Sequence, residues 1–281
     1  MSSASWRRSP PRWRAVDVWV VIGPAALTAA LTPYAIGSRS LWLDEAASVA
    51  IASQHGGAFG AALTHDGGNM LAYYALLHVL INAFGAGAVV IRLPAVLGAV
   101  ASVGFLSGLA LRLFGRRVAA VAGVMAAVSL PLLYYGQNAR AYTLMVAFIC
   151  ASWLAFVWLL EARAGSWGPG LLYVIATTAA LYCGLEAVLV IPAQLIVLAW
   201  HRHRAVPVLA GLAATAACAI PLAVLAAGRG TNQLFWIPRP SFRTLKRVVE
   251  ALGSSGLEPN FYTPTGHVLL FFTLGLTLVG A

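Results

Sequence analysis

The sequence predicts an all-α protein, a polytopic bundle of about eight transmembrane helices with interfacial helices in its first external loop. Of its 281 residues, 60% are hydrophobic and only 9% are charged, whereas about a quarter of the residues of a soluble domain are charged. Several apolar stretches reach or approach the ~20 residues that a helix needs to cross a bilayer. This composition excludes a soluble enzyme, a disordered chain and a nucleic-acid-binding module.

The first predicted span follows a short basic tail. Residues 1–16 carry four arginines and two prolines, and an apolar run covers residues 17–36. A cleaved signal peptide has an apolar core of only ~7–15 residues. The run is therefore predicted to be a retained helix with a cytoplasmic N-terminus.

A long external loop is predicted over residues 37–87. It contains the apolar segment 71–84, which has only 14 residues and includes His78 and Asn82. That length is typical of an interfacial or re-entrant helix. The loop is therefore predicted to carry interfacial helices.

Seven further spans complete a single predicted membrane domain over residues 1–281. They lie near residues 88–111, 117–134, 141–160, 170–183, 185–200, 205–227 and 266–281, with another external loop over 228–265. The last run has only about 15 residues, which is short for a span. The natural protein is therefore expected to continue, or the chain to be a truncated product.

Basic residues support this topology. Arginine accounts for 17 of the 18 basic residues. Ten arginines fall on the predicted inner side and three on the outer side when the loop 228–265 is set aside, as the positive-inside rule expects. That loop holds five more basic residues, which either bind an anionic partner outside or indicate a miscounted helix. The three cysteines form neither a disulfide nor a metal-binding pattern.

Two adjacent carboxylates, Asp44 and Glu45, lie in the first external loop, in the segment SLWLDEAAS. Neighbouring residues on a helix point about 100° apart, so these two cannot share one proton. One side chain is expected to face a cavity, and the other to cap the helix, pair with an arginine or bind a metal ion. The alternative is a solvated helix start, where carboxylates favour the N-terminal dipole.

The same loop continues as THDGGNMLAYYALLH. Its glycines allow a tight turn that brings the backbone close to a ligand. Asp66 is another external carboxylate, and the candidate substrate-binding residues around it are His65, Asn69, Tyr74 and His78. His65 and Asp66 are candidate metal ligands without a supporting metal-binding spacing. An ordinary loop with a helix cap is the alternative.

Two arginines are predicted at the outer ends of spans. Arg92 opens the span 88–111, and Arg140 precedes the span 141–160 in the motif YYGQNAR, which also supplies Tyr135 and Gln137 as candidate substrate-binding residues. A guanidinium matches phosphate geometry and stays charged, which suits a lipid-linked phosphate. The alternative is that each arginine only anchors its helix at the membrane surface.

Four segments in this order resemble the polytopic glycosyltransferases of the C-type superfamily: LWLDEAAS, HDGGNMLAYYALLH, IRLP with LRLFGRR, and YYGQNARAY. The resemblance is to the branch that contains protein O-mannosyltransferases and lipid A aminoarabinose transferases. The segment FWIPRPS is similar to bacterial mannosyltransferases. The motifs cover residues 37–145, and the resemblance elsewhere rests on hydropathy.

The resemblance implies a multi-pass enzyme of the bacterial cytoplasmic membrane whose active site faces outside. Such enzymes transfer a sugar, here mannose or another hexose or pentose, from a polyprenyl-phosphate donor to a protein, glycan or glycolipid acceptor. Asp44 matches the catalytic acidic residue and is expected to be the general base, Glu45 matches its common partner, and Asp66 matches a further acidic or polar position. Arg140 and Arg92 match the donor-phosphate arginines. A divalent metal ion is left open as a cofactor.

Two departures from the family pattern keep alternatives open. The prolines common before the interfacial helix are missing from HDGGNML, and relatives continue past the eighth span. The alternatives are an inactive truncated homologue and a non-catalytic polyprenyl-sugar-binding or flippase-type membrane protein. A transporter would place ionisable residues near the bilayer midplane at a repeat interface. Here they cluster at helix ends on one face, which favours the enzyme.

Overall fold

Helices are the only regular secondary structure in the part of the chain that the computed structural model describes, which confirms the predicted all-α class. The structure describes residues 15–162, 166–229 and 241–242. In these ranges the α-helices are α1 (Ala15–Leu31), α2 (Leu43–Ala52), α3 (Gly56–His65), α4 (Leu71–Phe84), α5 (Ala88–Phe114), α6 (Arg116–Ala127), α7 (Leu130–Gly136), α8 (Tyr142–Glu161), α9 (Gly168–Cys183), α10 (Val190–Trp200) and α11 (Ala205–Gly228). Short 3-10 turns at Leu185–Leu189 and Arg202–Arg204 precede α10 and α11.

Three described helical segments are long and apolar enough to cross a membrane: Ala88–Phe114, Tyr142–Glu161 and Arg202–Gly228. A fourth span results if α6 and α7, which meet at 53°, are counted together. The chain is therefore a helical membrane protein, as predicted. The predicted spans 17–36, 170–183 and 185–200 correspond to the shorter apolar helices Ala15–Leu31, Gly168–Cys183 and Leu185–Trp200. The span 266–281 and most of the loop 228–265 lie outside the described residues, as does the tail 1–14, so the count of eight spans stays a prediction.

The predicted span 117–134 is broken rather than continuous. α6 ends at Ala127 and α7 begins at Leu130, with Ser129 in an extended conformation between them. Pro131 follows directly, and proline lacks the N–H that a continuous helix would donate to the carbonyl oxygen of Ala127. The proline therefore accounts for a break at this point of the span.

Successive helices alternate in direction. Arg116 at the start of α6 pairs with Asp17 at the start of α1 at 2.5 Å, and Arg112 near the end of α5 pairs with Glu161 at the end of α8. One residue separates α5 from α6, so all four side chains lie at the same end of the bundle. α5 and α8 therefore run antiparallel to α1 and the α6–α7 pair.

α5 and α8 pack with their backbones in contact. A Cβ atom at Gly98 would lie 2.5 Å from the backbone nitrogen of Leu144. Ser102 Oγ donates to the carbonyl oxygen of Thr143 at 3.0 Å, and Thr143 Oγ1 donates to that of Ala95 at 2.7 Å. Small and hydroxyl-bearing residues commonly allow such close packing of membrane helices. This contact holds the start of α8 against α5.

The segment 37–87 begins and ends at the opposite end of the bundle. Arg92 of α5 donates to the carbonyl oxygens of Ile36 at 2.5 Å and of Ser40 at 3.3 Å, so the two ends of the segment meet. α4 has 14 residues, fewer than the ~20 of a span, and it does not cross the bundle by itself. Its buried face, including Tyr73 and Leu77, packs into a core shared with α2 and the start of α5. That this segment is external stays a prediction.

Candidate active site

A buried ion pair between α2 and α5 forms the framework of the site. Glu45 and Arg92 are each about 1% exposed. Their contact is bidentate, since Arg92 Nε donates to Oε1 and Nη2 to Oε2 of Glu45, each at 2.8 Å. The backbone amides of Ala139 at 2.8 Å and Trp42 at 3.4 Å also donate to this carboxylate. One side chain thus joins α2, α5 and the loop that follows α7.

The guanidinium of Arg92 has an acceptor for each of its five N–H groups. Besides the two oxygens of Glu45, these are the carbonyl oxygens of Ile36 at 2.5 Å, Arg39 at 3.2 Å and Ser40 at 3.3 Å. No N–H group is therefore left for a phosphate unless one of these bonds breaks. The structure places Arg92 inside the framework of the site and not on its open surface.

The carboxylate of Glu45 is held in its charged form. Burial raises the pKa of Glu45. The hydrogen bonds from Arg92 and the backbone amides, together with the Arg92 charge, lower this pKa by more than burial raises it, so it lies below its ordinary value. An ionised carboxylate has about four lone-pair positions, and four donors occupy them here. Glu45 therefore both caps α2 and pairs with an arginine.

Asp44 has the opposite environment although it is the adjacent residue. Its side chain is 42% exposed, and its Oδ2 lies 3.8 Å from Nη2 of Arg140. The ~100° turn between neighbouring helical residues directs the two carboxylates to different surroundings. Asp44 is thus a solvent-accessible carboxylate beside a cation.

Arg140 lies in the loop between α7 and α8 and contributes the cation of the site. Its guanidinium carbon lies 5.5 Å from the centre of the Tyr142 ring, and Nη2 donates to the Tyr142 hydroxyl at 3.3 Å. The side chain is 16% exposed, and its buried Nε has no hydrogen-bond partner. Unlike Arg92, Arg140 therefore has donor capacity for a further ligand.

Asp66 is located in the turn between α3 and α4. Its Oδ1 lies 3.5 Å from Nη2 of Arg229, while its Oδ2 is buried without a hydrogen-bond partner. Burial raises the pKa of Asp66 above its ordinary value, although the charges of Arg229, Arg140 and His65 oppose this effect. Arg140 thus acts electrostatically on Asp66 as well as on Asp44.

The end of α11 packs on this turn. Gly67 and Gly68 have positive φ angles of +63° and +71°, which glycine adopts at little cost. A Cβ atom at Gly67 would lie 2.6 Å from Cδ of Arg229, and one at Gly68 would lie 3.0 Å from Leu222. Sequence reasoning missed Arg229 as a site residue. The sequence shows that Arg229 ends an apolar run, but it does not show that Arg229 pairs with Asp66.

Tyr74 and Asn69 accompany Asp66. Tyr74 is 3% exposed, and burial together with the negative charge of Asp66 raises the pKa of Tyr74 to about 12. Its hydroxyl therefore stays protonated at neutral pH. The backbone amide of Asn69 donates to the carbonyl oxygen of Asp66 at 3.3 Å, and His65 is the last residue of α3.

His78 lies one turn further along α4, where it joins α4 to α2. Its Nδ1 is 2.8 Å from the carbonyl oxygen of Ala52, and its Nε2 is 3.0 Å from Nδ2 of Asn82. Phe59 of α3 stacks on the imidazole with ring centres 4.3 Å apart. Both ring nitrogens thus have partners within this helix cluster.

The two remaining predicted substrate-binding residues flank the end of α7. Gln137 donates through Nε2 to the carbonyl oxygens of Thr32 at 2.9 Å and Tyr34 at 3.1 Å, and its Oε1 accepts from Arg39 at 3.1 Å. Its amide therefore ties this loop to the end of α1. Tyr135 packs edge-on against Tyr142, with ring centres 5.1 Å apart.

The donor set does not fit a metal centre. Within residues 15–162, 166–229 and 241–242, no three histidine, cysteine or acidic side chains converge on one point. Asp44 and Asp66 each lie beside an arginine, and the lone pairs of Glu45 are occupied. Among the described residues, these carboxylates are therefore arranged beside cations and amide donors rather than grouped as metal ligands.

Comparison with known protein families identifies the family of the chain. A family model described as dolichyl-phosphate-mannose-protein mannosyltransferase matches residues 68–226, more than half of the chain. The chain belongs to this family. Membership in the dolichyl-phosphate-mannose-protein mannosyltransferase family supports a membrane glycosyltransferase of the C-type superfamily. No curated protein and no solved structure matches the chain significantly.

The family match includes only part of the site. Arg92 and Arg140 lie inside residues 68–226, whereas Asp44, Asp66 and Arg229 lie outside them. The Asp44–Arg140 pair links the two parts directly.

Proposed function

We propose that the protein transfers a sugar, mannose in the first instance, from a polyprenyl-phosphate donor to a hydroxyl group of a protein, glycan or glycolipid acceptor. The reaction takes place at the outer face of a bacterial cytoplasmic membrane. The family supports the reaction class, since its description names dolichyl-phosphate-mannose as the donor. The motifs shared with the protein O-mannosyltransferase branch support the choice of branch.

One observation carries the proposal: an accessible carboxylate and an arginine with spare donors lie 3.8 Å apart, Asp44 Oδ2 to Arg140 Nη2, at one end of a membrane bundle. Sugar transfer from a phosphate needs a base for the acceptor and a cation for the leaving group. Asp44 takes the proton of the acceptor hydroxyl, whose oxygen forms a bond to the anomeric carbon. The bond from that carbon to the phosphate oxygen breaks, and the electron pair leaves with the polyprenyl phosphate, which Arg140 stabilises.

The other site residues position these two groups. The Glu45–Arg92 pair is a positioning pair. Glu45 follows Asp44 on α2, and its carboxylate accepts hydrogen bonds from Arg92 and from the amide of Ala139, the residue before Arg140. The pair therefore fixes Asp44 and Arg140 relative to each other. We assign this positioning role to Arg92 in place of the phosphate binding that the family resemblance implies. Asp66, with its buried unpaired oxygen, orients the acceptor or the sugar by accepting a hydrogen bond.

The test is substitution of Asp44 by asparagine, which keeps the shape of the side chain and removes its basicity. We expect transfer from radiolabelled polyprenyl-phosphate mannose in membranes to fall by about 100- to 10,000-fold, the usual contribution of a general base. Arg140→Gln should also lower turnover.

The matched control is Glu161→Gln, which removes a carboxylate paired with Arg112 at the opposite end of the bundle. It should transfer sugar at the wild-type rate. Near-normal turnover by Asp44→Asn, at equal expression and membrane insertion, would overturn the assignment of the base.

A further inference from the structure

Two histidines and an asparagine form a chain of hydrogen bonds among α2, α3 and α4. Nε2 of His55 lies 3.0 Å from Oδ1 of Asn82, and Nδ2 of Asn82 lies 3.0 Å from Nε2 of His78. Nδ1 of His78 in turn lies 2.8 Å from the carbonyl oxygen of Ala52. Phe59 stacks on the His78 ring, with ring centres 4.3 Å apart. His55, Asn82 and His78 thus form one relay, which joins the end of α2 and the start of α3 to α4.

The relay and the candidate site lie at opposite ends of α2 and α3. Asp44 is at the start of α2, and Asp66 directly follows the end of α3. Both carboxylates interact with Arg140. Ala52 and His55, which take part in the relay, are at the other ends of the same two helices. Each helix has ten residues, which span about 15 Å. α2 and α3 therefore form a hairpin whose tip is fastened to α4 and whose base carries both carboxylates.

The proton positions along the relay are fixed from one end. A carbonyl oxygen only accepts hydrogen bonds, so Nδ1 of His78 carries a proton and donates to Ala52. In the neutral ring Nε2 is then the acceptor, and the amide nitrogen of Asn82 donates to it. The amide oxygen consequently faces His55 and accepts from its Nε2. Every group of the relay therefore has one defined role while His78 is neutral.

The relay accommodates one additional proton but not two. Imidazole changes its charge between about pH 5 and 8. A proton on Nε2 of His78 would face the NH2 group of Asn82, so the amide has to turn over. The turned amide directs its NH2 group at Nε2 of His55, which then has to be the acceptor and therefore neutral. When both rings are charged, one of the two contacts breaks, and the two cations, with ring centres 5.7 Å apart, repel each other.

Among the described residues, no other ionisable side chain takes part in these hydrogen bonds. α2, α5 and α9 pack on α4, and α3 packs on α2. The ionisable side chains of these helices, apart from the relay, are Asp44 and Glu45 of α2, His65 of α3, Tyr73 and Tyr74 of α4, Arg92 and Arg112 of α5, and Tyr173, Tyr182 and Cys183 of α9. The carboxylates of α2 lie beside arginines at the site end of the hairpin. The two histidines are therefore the groups through which acid acts on the relay.

We propose that His78 is a positioning residue for sugar transfer, which in its neutral form fastens the α2–α3 hairpin to α4 and releases it when His55 and His78 are both protonated. The inference rests on the proposed function, because the hairpin carries Asp44 and Asp66. Below about pH 6, transfer should therefore fall through loosening of the hairpin, in addition to the effect of protonating the carboxylates.

The decisive variant is Asn82→Asp, assayed as the full chain in nanodiscs between about pH 5 and 9. A carboxylate accepts from both rings, and its negative charge favours their protonated forms, so the relay of this variant is complete in acid. On the acid side, kcat/KM should reach half its maximum at a pH about one unit lower than in the wild type. Above about pH 8 the rings become neutral and the variant should lose transfer. Loss of a merely structural asparagine would instead lower transfer at every pH.

Gln54→Glu is the matched control. Gln54 is an exposed neighbour of His55 that donates to the carbonyl oxygen of Ala50 and not to the relay. The control adds the same charge outside the relay and should shift the pH profile by less than about 0.3 unit, because solvent and salt screen an exposed charge. His55→Gln is a second variant, used also if Asn82→Asp does not fold. Its amide can donate or accept, so protonation of His78 no longer causes a conflict, and the loss of transfer in acid should be smaller than in the wild type.

Hydrogen exchange of the same samples reports on the hairpin without any substrate. After correction for intrinsic rates, the amides of α3 should exchange at least about fivefold faster at pH 5.5 than at pH 7.5 in the wild type, and Asn82→Asp should abolish this difference. Exchange that does not depend on pH, or equal shifts of the pH profile in Asn82→Asp and Gln54→Glu, would overturn the inference. Opening of the hairpin in acid without sugar transfer at any pH would contradict the proposed function and retain the relay. Undiminished transfer with an open hairpin would contradict the positioning role and retain the function.

Discussion

Exchange of Arg92 for lysine distinguishes a framework residue from a phosphate ligand. The variant keeps a positive charge beside Glu45, but an ammonium has three donors where the guanidinium of Arg92 uses five. At least two of the acceptors, among buried Glu45, the carbonyl group of Ile36 and the partly buried carbonyl groups of Arg39 and Ser40, therefore lose the hydrogen bond from this side chain. A lost hydrogen bond costs about 0.5–1.5 kcal/mol, and up to about 3 kcal/mol when one partner is charged, so the free energy of unfolding should fall by about 1–6 kcal/mol.

The assay is unfolding of the purified protein by sodium dodecyl sulfate, followed by tryptophan fluorescence, together with steady-state transfer kinetics. Arg112→Lys is the control, because its pair with Glu161 is partly exposed and should contribute less than about 1 kcal/mol. For Arg92→Lys, kcat should fall while the KM for the polyprenyl donor stays within about twofold. Unchanged stability with a KM raised about tenfold or more would refute the reasoning and make Arg92 a phosphate ligand.

Two further predictions concern the turn beside Asp66. Gly67→Ala should lower the free energy of unfolding by about 1–2 kcal/mol and reduce transfer, because a left-handed φ is costly for alanine and its Cβ would displace the Arg229 side chain. Gly57→Ala, in open space on α3, should be neutral or stabilising, and equal unfolding midpoints for the two variants would contradict this account. The pKa of Asp66 is raised mainly by burial, so its ionisation destabilises the fold above that pKa, and the penalty disappears as the pH falls towards 3.8. Asp66→Asn should therefore be more stable than the wild type at about pH 7, and thermal melts should show the difference shrinking towards about pH 4, whereas a constant difference would argue against the raised pKa.

The helical class could be predicted because the composition and the length of each apolar run are read directly from the sequence, without knowledge of long-range contacts. The 14 residues of 71–84 correctly indicated a helix too short to span. The span 117–134 was predicted as one helix, although Pro131 already marks the break between α6 and α7. A proline in a membrane helix can kink it or interrupt it, and the packing of neighbouring helices decides between these outcomes.

The chemistry of the site was less accessible from sequence. The ~100° turn between Asp44 and Glu45 predicts that one faces a cavity and the other caps or pairs. Glu45 both caps α2 and pairs with Arg92, whereas Asp44 is exposed and its cavity stays a prediction. The three carbonyl partners of Arg92 could not be anticipated, because every residue has a backbone carbonyl group and the sequence does not show which of them accept a hydrogen bond. The role of Arg229 depends on how α11 docks against the α3–α4 turn, which is a long-range contact.

The contact between Asp66 and Arg229 also bears on how the protein is made. About 160 residues of chain separate the two partners. At a synthesis rate of about 5–20 residues per second, roughly 10–30 s pass between their emergence from the ribosome. During that interval the first loop is already built, but the helix that covers its glycine turn does not yet exist. The nascent protein is therefore inserted in the membrane well before its site is closed, and any chain that ends before residue 229 leaves Asp66 without this cation.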